Sequence, residues 1–209
     1  MKRTTFILIA LSMAVIALPA HAQLGLPKLG GSGSGQSDAP SADAFLQSFQ
    51  KSNEEVSRAQ VHFLKALKLD KDAATLAEET KSLSSGAINS AAIKKRTQLT
   101  NSAQAEIDKK ISAGATLDAE GKVEYLKGLE ALVAGVLSAR EVASKASAMA
   151  SSLGSNPMAL AGSGRAALEV AKGAPSYLTS LTGALSNASK FGEKNGIKSE
   201  SAMSAMKGL

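Results

Sequence analysis

The chain contains no cysteine and no tryptophan, and its 209 residues include only five phenylalanines, two tyrosines and two histidines. Without cysteine there is no disulfide framework, no thiolate metal site and no thiol nucleophile. The scarcity of aromatic rings argues against sites that stack sugars, nucleobases or flat cofactors. We therefore expect a fold held together by packing alone, with no nucleic acid as partner.

The first 22 residues have the three parts of a secretory signal peptide. Lys2 and Arg3 form a charged start, and residues 6–18 form an apolar run that is too short to span a bilayer. Residues 20–22 then provide the small-x-small pattern of a cleavage site. We predict cleavage before Gln23 and a periplasmic or secreted protein with no transmembrane segment in its mature form. A retained anchor is the alternative.

Loss of this peptide leaves a mildly basic chain. The formal net charge falls from +6 to +4 because Lys2 and Arg3 are removed. A charge of this size is small for a dedicated nucleic-acid binder, yet it favours anionic neighbours. In the cell envelope these are an anionic lipid surface or an acidic envelope protein. A charge that only keeps the protein soluble is the alternative.

Composition divides the remaining chain into three parts. Residues 23–40 are rich in glycine and serine and predict a flexible leader, because they have too little apolar surface to offset their ordering entropy. Residues 41–191 show helical periodicity and no alternating β-branched runs, which predicts an all-α helical bundle of about five to six helices. Residues 192–209 are predicted to be a mobile C-terminal tail.

The individual helices are predicted from apolar stripes, capping residues and the glycines and prolines that interrupt them. Gly154 is expected to end the longest helix, and Pro175 is expected to start a new one. The predicted helices are 41–69, 70–84, 90–112, 118–153, 157–172 and 175–191.

Glycines recur every seven residues in the longest predicted helix, at Gly121, Gly128 and Gly135. Each glycine in a helix interior costs about 1 kcal/mol relative to alanine, so the pattern needs a reason. Close contact with another helix of the same chain is one interpretation. A self-association surface and a hinge are the others.

Basic residues cluster in the third predicted helix, as Lys94, Lys95 and Arg96 and again as Lys109 and Lys110. Lys95 and Lys109 are fourteen residues apart and therefore lie on a common side. The two groups define a strip about 20 Å long at 1.5 Å per residue. We predict a salt-sensitive contact with an acidic partner or lipid surface, with an ordinary solvated face as the alternative.

Catalytic and metal-binding motifs are not found. His62 is the one histidine left after cleavage, so no histidine pair for zinc and no serine–histidine triad can form. Glu55, two turns earlier, is its expected neighbour. We expect no enzyme activity and no cofactor, although His62 paired with a methionine would suit a haem- or metal-binding bundle.

The sequence therefore predicts an exported, soluble, non-catalytic helical bundle that acts as a binding module in the cell envelope. A chaperone-like or lipid-surface-binding periplasmic protein is the first alternative. A haem- or metal-binding bundle that uses His62 is the second.

Overall fold

The computed structural model describes residues 40–84, 86, 88–200 and 204. This part of the chain forms five α-helices and one short 3-10 helix and contains no strand, which confirms the all-α bundle. The predicted signal peptide (1–22) and the predicted leader up to residue 39 lie outside the described residues. The elements are α1 (Ala42–Ala66), α2 (Asp70–Ser84), α3 (Ser90–Ser112), α4 (Ala119–Ser155), the 3-10 helix (Pro157–Leu160) and α5 (Gly164–Lys194).

Three α-helices begin with a side chain that accepts a hydrogen bond from the first turn. Such caps satisfy one of the backbone N–H groups that a helix start leaves free. The caps are Ser41 for α1, with the Ala44 N–H at 3.2 Å, Asn89 for α3, with the Ala92 N–H at 2.9 Å, and Asp118 for α4, with the Gly121 N–H at 2.7 Å.

The glycine repeat of α4 lies against α1. Gly121, Gly128 and Gly135 are all buried. A Cβ atom added to Gly128 would lie 2.5 Å from Cε1 of Phe63, and one added to Gly135 would lie 2.9 Å from Cγ2 of Val56. Because these glycines have no side chain, α1 packs directly against the backbone of α4. They form a helix–helix contact within the chain and are not exposed for self-association.

A cluster of aromatic rings joins α1, α4 and α5. Tyr125 of α4 is 1% exposed. Its ring centroid lies 4.7 Å from that of Phe63 and 5.3 Å from that of Phe191. The hydroxyl of Tyr125 donates a hydrogen bond to the Ala188 carbonyl at 2.9 Å. Three of the described aromatic residues are therefore concentrated where three helices meet.

The predicted break at Pro175 was wrong, because α5 is continuous from Gly164 to Lys194 with Pro175 inside it. Proline removes one backbone hydrogen bond from a helix and usually kinks or ends it. On either side of Pro175, however, Ala174 and Tyr177 are buried in the same core. We attribute the continuity to this packing, which a local sequence rule does not include. Gly154 likewise does not end α4, which runs to Ser155.

The predicted tail starts inside the bundle. Helix α5 ends at Lys194, and the Ile197 N–H then donates to the Gly192 carbonyl at 2.9 Å around Gly196, which has a φ of +76°. This turn is a common helix ending because glycine adopts a positive φ without strain. Ile197 is buried, so residues 192–200 pack on the bundle. Residues 201–203 and 205–209 lie outside the described residues.

Buried tyrosine predicts a loss of stability at high pH. Burial raises the pKa of Tyr177 to about 12, whereas an unfolded tyrosine ionises near 10. The folded state therefore holds the proton more tightly, and this contribution is complete below about pH 10 and lost as the pH rises towards about 12. We expect the free energy of unfolding, measured by urea titration, to fall across this range. The free energy of unfolding of Tyr177→Phe should fall less steeply with pH. A slope equal to that of the wild-type chain would contradict the prediction.

Candidate functional site

Helix α3 lies on one flank of the bundle and buries one face only. Its span, Ser90–Ser112, coincides with the predicted helix. The buried residues repeat every three or four positions, and the helix packs against α1, α2 and α5. They are Ile93, Arg96, Thr100, Ala103 and Ile107. The opposite face of α3 is left to solvent.

The four lysines predicted as an interaction surface lie near the two ends of α3 and face solvent. Lys94, Lys95, Lys109 and Lys110 are all exposed. Lys95 Nζ is 4.0 Å from a Glu79 carboxylate oxygen, and Lys109 Nζ is 3.5 Å from one of Glu106. Lys94 and Lys110 form no ion pair with any described residue. We call these four residues the lysine face.

Arg96 does not share this surface. Successive residues of a helix are rotated by about 100°, so Arg96 points well away from Lys94. It falls in the inward-facing repeat with Thr100 and Ala103 and is 7% exposed. The sequence cluster of three basic residues is therefore divided between the outside and the inside of the bundle.

The exposed residues in the middle turns of α3, between the two lysine pairs, carry no charge and no large apolar side chain. Gln98, Ser102 and Ala105 are exposed between the two lysine pairs, which are about 20 Å apart along the helix axis. The large apolar residues that the described chain exposes, Val123, Leu137 and Met158, belong to other elements. The lysine face can therefore make long, charge-based contacts but has no apolar side chain to insert into a partner.

A cleft of about 520 Å³ opens at the Lys110 end of the lysine face. It is bounded by the ends of α1 and α3 and by the loop that leads into α4. Lys68 on its rim is neutralised by Glu120 at 2.9 Å and Asp118 at 3.4 Å. Lys110 also lines the cleft, and its positive charge has no ion-pair partner among the described carboxylates. The positive surface thus continues from the helix into a concave region.

His62 contacts a residue that its sequence neighbourhood does not indicate. Its Nδ1 lies 2.7 Å from a carboxylate oxygen of Glu124 on α4, while the expected neighbour Glu55 pairs with Arg58. Hydrogen bonds from Lys127 and then from His62 lower the pKa of Glu124 to about 2. The described residues contain no group of three or more histidines or carboxylates that could hold a metal ion.

A polar contact that the sequence analysis missed attaches α3 to α1. Gln60 donates to the Thr100 carbonyl at 2.9 Å and to Oε1 of Gln104 at 3.3 Å. The signal was present, because Gln60 lies four residues after Val56 and three before Phe63, within the apolar stripe of α1. A polar side chain at such a position predicts a polar partner on the neighbouring helix.

Comparison with known proteins finds no matching family, no similar curated protein and no similar solved structure. No helix in the described parts of the chain is long and apolar enough to cross a membrane.

Proposed function

We propose that this protein is an exported, non-catalytic binding module of the cell envelope that holds an acidic protein partner on the lysine face of α3. The observation that carries the proposal is the exposure of four lysines near the two ends of one helix, of which Lys95 and Lys109 share a side. Two of them, Lys94 and Lys110, have no carboxylate partner among the described residues. The export part of the proposal is supported by the signal-peptide pattern of the sequence.

The chemistry of the face favours an acidic protein segment over an inserted lipid. Amphipathic membrane anchors bury large apolar side chains beside their lysines. Between its lysine pairs α3 presents Gln98, Ser102 and Ala105 instead. An extended acidic segment can reach both pairs with carboxylates, and such exposed contacts weaken as salt is added.

We predict that reversing the charge of the unpaired lysines weakens binding about tenfold at low salt. The variant is Lys94→Glu with Lys110→Glu, and the probe is a fluorescent oligoglutamate peptide measured by anisotropy against the chain from Gln23 onward. The matched control reverses two exposed lysines of α5, Lys172→Glu with Lys190→Glu, which gives the same net charge. The control should lose much less affinity.

Two results would contradict the proposed function. Equal losses in both variants would show that net charge alone governs binding. Binding to anionic phosphatidylglycerol vesicles without binding to the peptide would favour the lipid-surface alternative. A pulldown from the envelope fraction, with the α3 variant as the negative control, then identifies the natural partner.

A further inference from the structure

Arg96 carries a positive charge into the interior of the bundle. It is 7% exposed, the least of any charged residue in the described part of the chain. Arginine does not give up its proton in proteins, so burial does not neutralise it. A buried ion normally has an oppositely charged partner, since an unpaired one costs several kcal/mol.

The guanidinium of Arg96 is short of partners. Its Nη2 donates to the Ser84 hydroxyl at 3.5 Å, which is the outer limit of a hydrogen bond. Its Nη1 is buried and has no hydrogen-bond partner among the described residues. No described carboxylate forms an ion pair with it. The Glu54 carboxylate attracts the Arg96 charge through space. The Oε1 atom of Glu54, however, accepts a hydrogen bond from Gln50 at 2.9 Å.

Arg96 lines a small cavity. Its volume is about 20 Å³, and its walls come from α1, α3 and the end of α2 with the residue before α3. A cavity of this size holds one water molecule or one monatomic ion. The residues around it are Phe49, Gln50, Asn53, Leu83, Ile88, Ala92, Ile93 and Arg96.

Charge decides between these two occupants. A water molecule could accept a hydrogen bond from Nη1, but it adds no negative charge, and Glu54 attracts the guanidinium only from a distance, without an ion pair. A small anion supplies both the acceptor and the countercharge. The amides of Gln50 and Asn53 are held by other bonds, to Glu54 and Ser84 and to the Phe49 carbonyl respectively.

We infer that the cavity at Arg96 binds a small monovalent anion of the halide class, such as chloride. The bound ion lies where α1, α2 and α3 meet and therefore strengthens the attachment of α2 and α3 to α1. The site is distinct from the proposed partner surface, because Arg96 is buried whereas the four lysines of the lysine face are exposed.

Chloride itself is the probe for this site. Chlorine NMR should show excess line broadening in the presence of the wild-type chain, and Arg96→Met should abolish the broadening. The matched control is Arg165→Met, which removes an exposed arginine from α5 and should keep it. The Lys94→Glu, Lys110→Glu variant should also keep it, so failure of one proposal is distinguishable from failure of the other.

A stability measurement covers the case in which Arg96→Met does not fold. The urea midpoint of the wild-type chain should be higher in sodium chloride than in sodium gluconate at equal ionic strength, because gluconate is too large for the cavity and a ligand of the folded state stabilises it. Absence of line broadening with the wild-type chain would overturn the inference. So would a chloride effect that Arg96→Met retains in full.

Discussion

Replacing Tyr125 with alanine is expected to lower the free energy of unfolding by about 3–5 kcal/mol. The ring of Tyr125 lies between those of Phe63 and Phe191 and is 1% exposed. Three helices contribute to this cluster, so none can close the resulting cavity without moving against the other two. Since domains of this kind are stable by about 5–15 kcal/mol, a loss of this size removes much of the total.

Tyr125→Phe separates the ring from the hydroxyl. The variant keeps the aromatic contacts and loses only the hydrogen bond to the Ala188 carbonyl. We expect a cost of about 1 kcal/mol, the typical net contribution of one hydrogen bond, because the Ala188 carbonyl remains within α5. Urea unfolding followed by circular dichroism measures both variants. Equal costs for alanine and phenylalanine would mean that the ring contacts contribute little, contrary to the structure.

Gly128→Val is expected to destabilise the chain by about 3 kcal/mol, at the upper end of typical overpacking costs. Even the first added carbon would lie 2.5 Å from Cε1 of Phe63 and 3.2 Å from the Ala59 carbonyl oxygen. The Phe63 ring cannot move aside freely because Tyr125 packs against it. The helices α1 and α4 must therefore separate along the glycine repeat.

Alanine substitutions at Gly128 and Gly183 give a matched comparison. A Cβ atom added to Gly183 in α5 meets no atom within 4 Å. Gly183→Ala should therefore stabilise the helix by about 0.5–1 kcal/mol through helix propensity and the entropy of the unfolded chain. Gly128→Ala should instead destabilise, so the two changes have opposite signs in urea unfolding. Stabilisation by both would show that α1 and α4 are not in close contact.

Local signals predicted most of the helical elements. The predicted span of α3 agrees with the structure at both ends, and α2 starts at Asp70 as expected. Capping and turn residues determine helix ends through contacts with residues a few positions away. Such boundaries can therefore be predicted from the sequence. Pro175 is the clearest exception, because contacts from distant residues hold its helix together. The α-helix predicted from residue 157 is another, since α5 begins at Gly164 after a short 3-10 helix.

The candidate site was predicted in part. The exposed side of α3 follows from helical periodicity, and so do Lys94 and Lys109 upon it. The inward position of Arg96 was readable in the same way, since it is four residues before Thr100 and seven before Ala103. Grouping it with its sequence neighbours hid that signal. The partner of His62 could not be predicted from the sequence, because Glu124 is 62 residues away in the chain.

The sequence by itself determined that this chain is helical, where most of its helices begin, and that α4 carries a seven-residue glycine repeat. These properties depend on backbone propensities and on residues within a turn or two. Only the tertiary structure decided that Phe63 occupies the space left by Gly128, that Arg96 adjoins a small cavity, and that the lysine face stays open. The physical reason is that burial and ion pairing depend on which helices pack together, and that choice is made by the whole set of apolar faces at once.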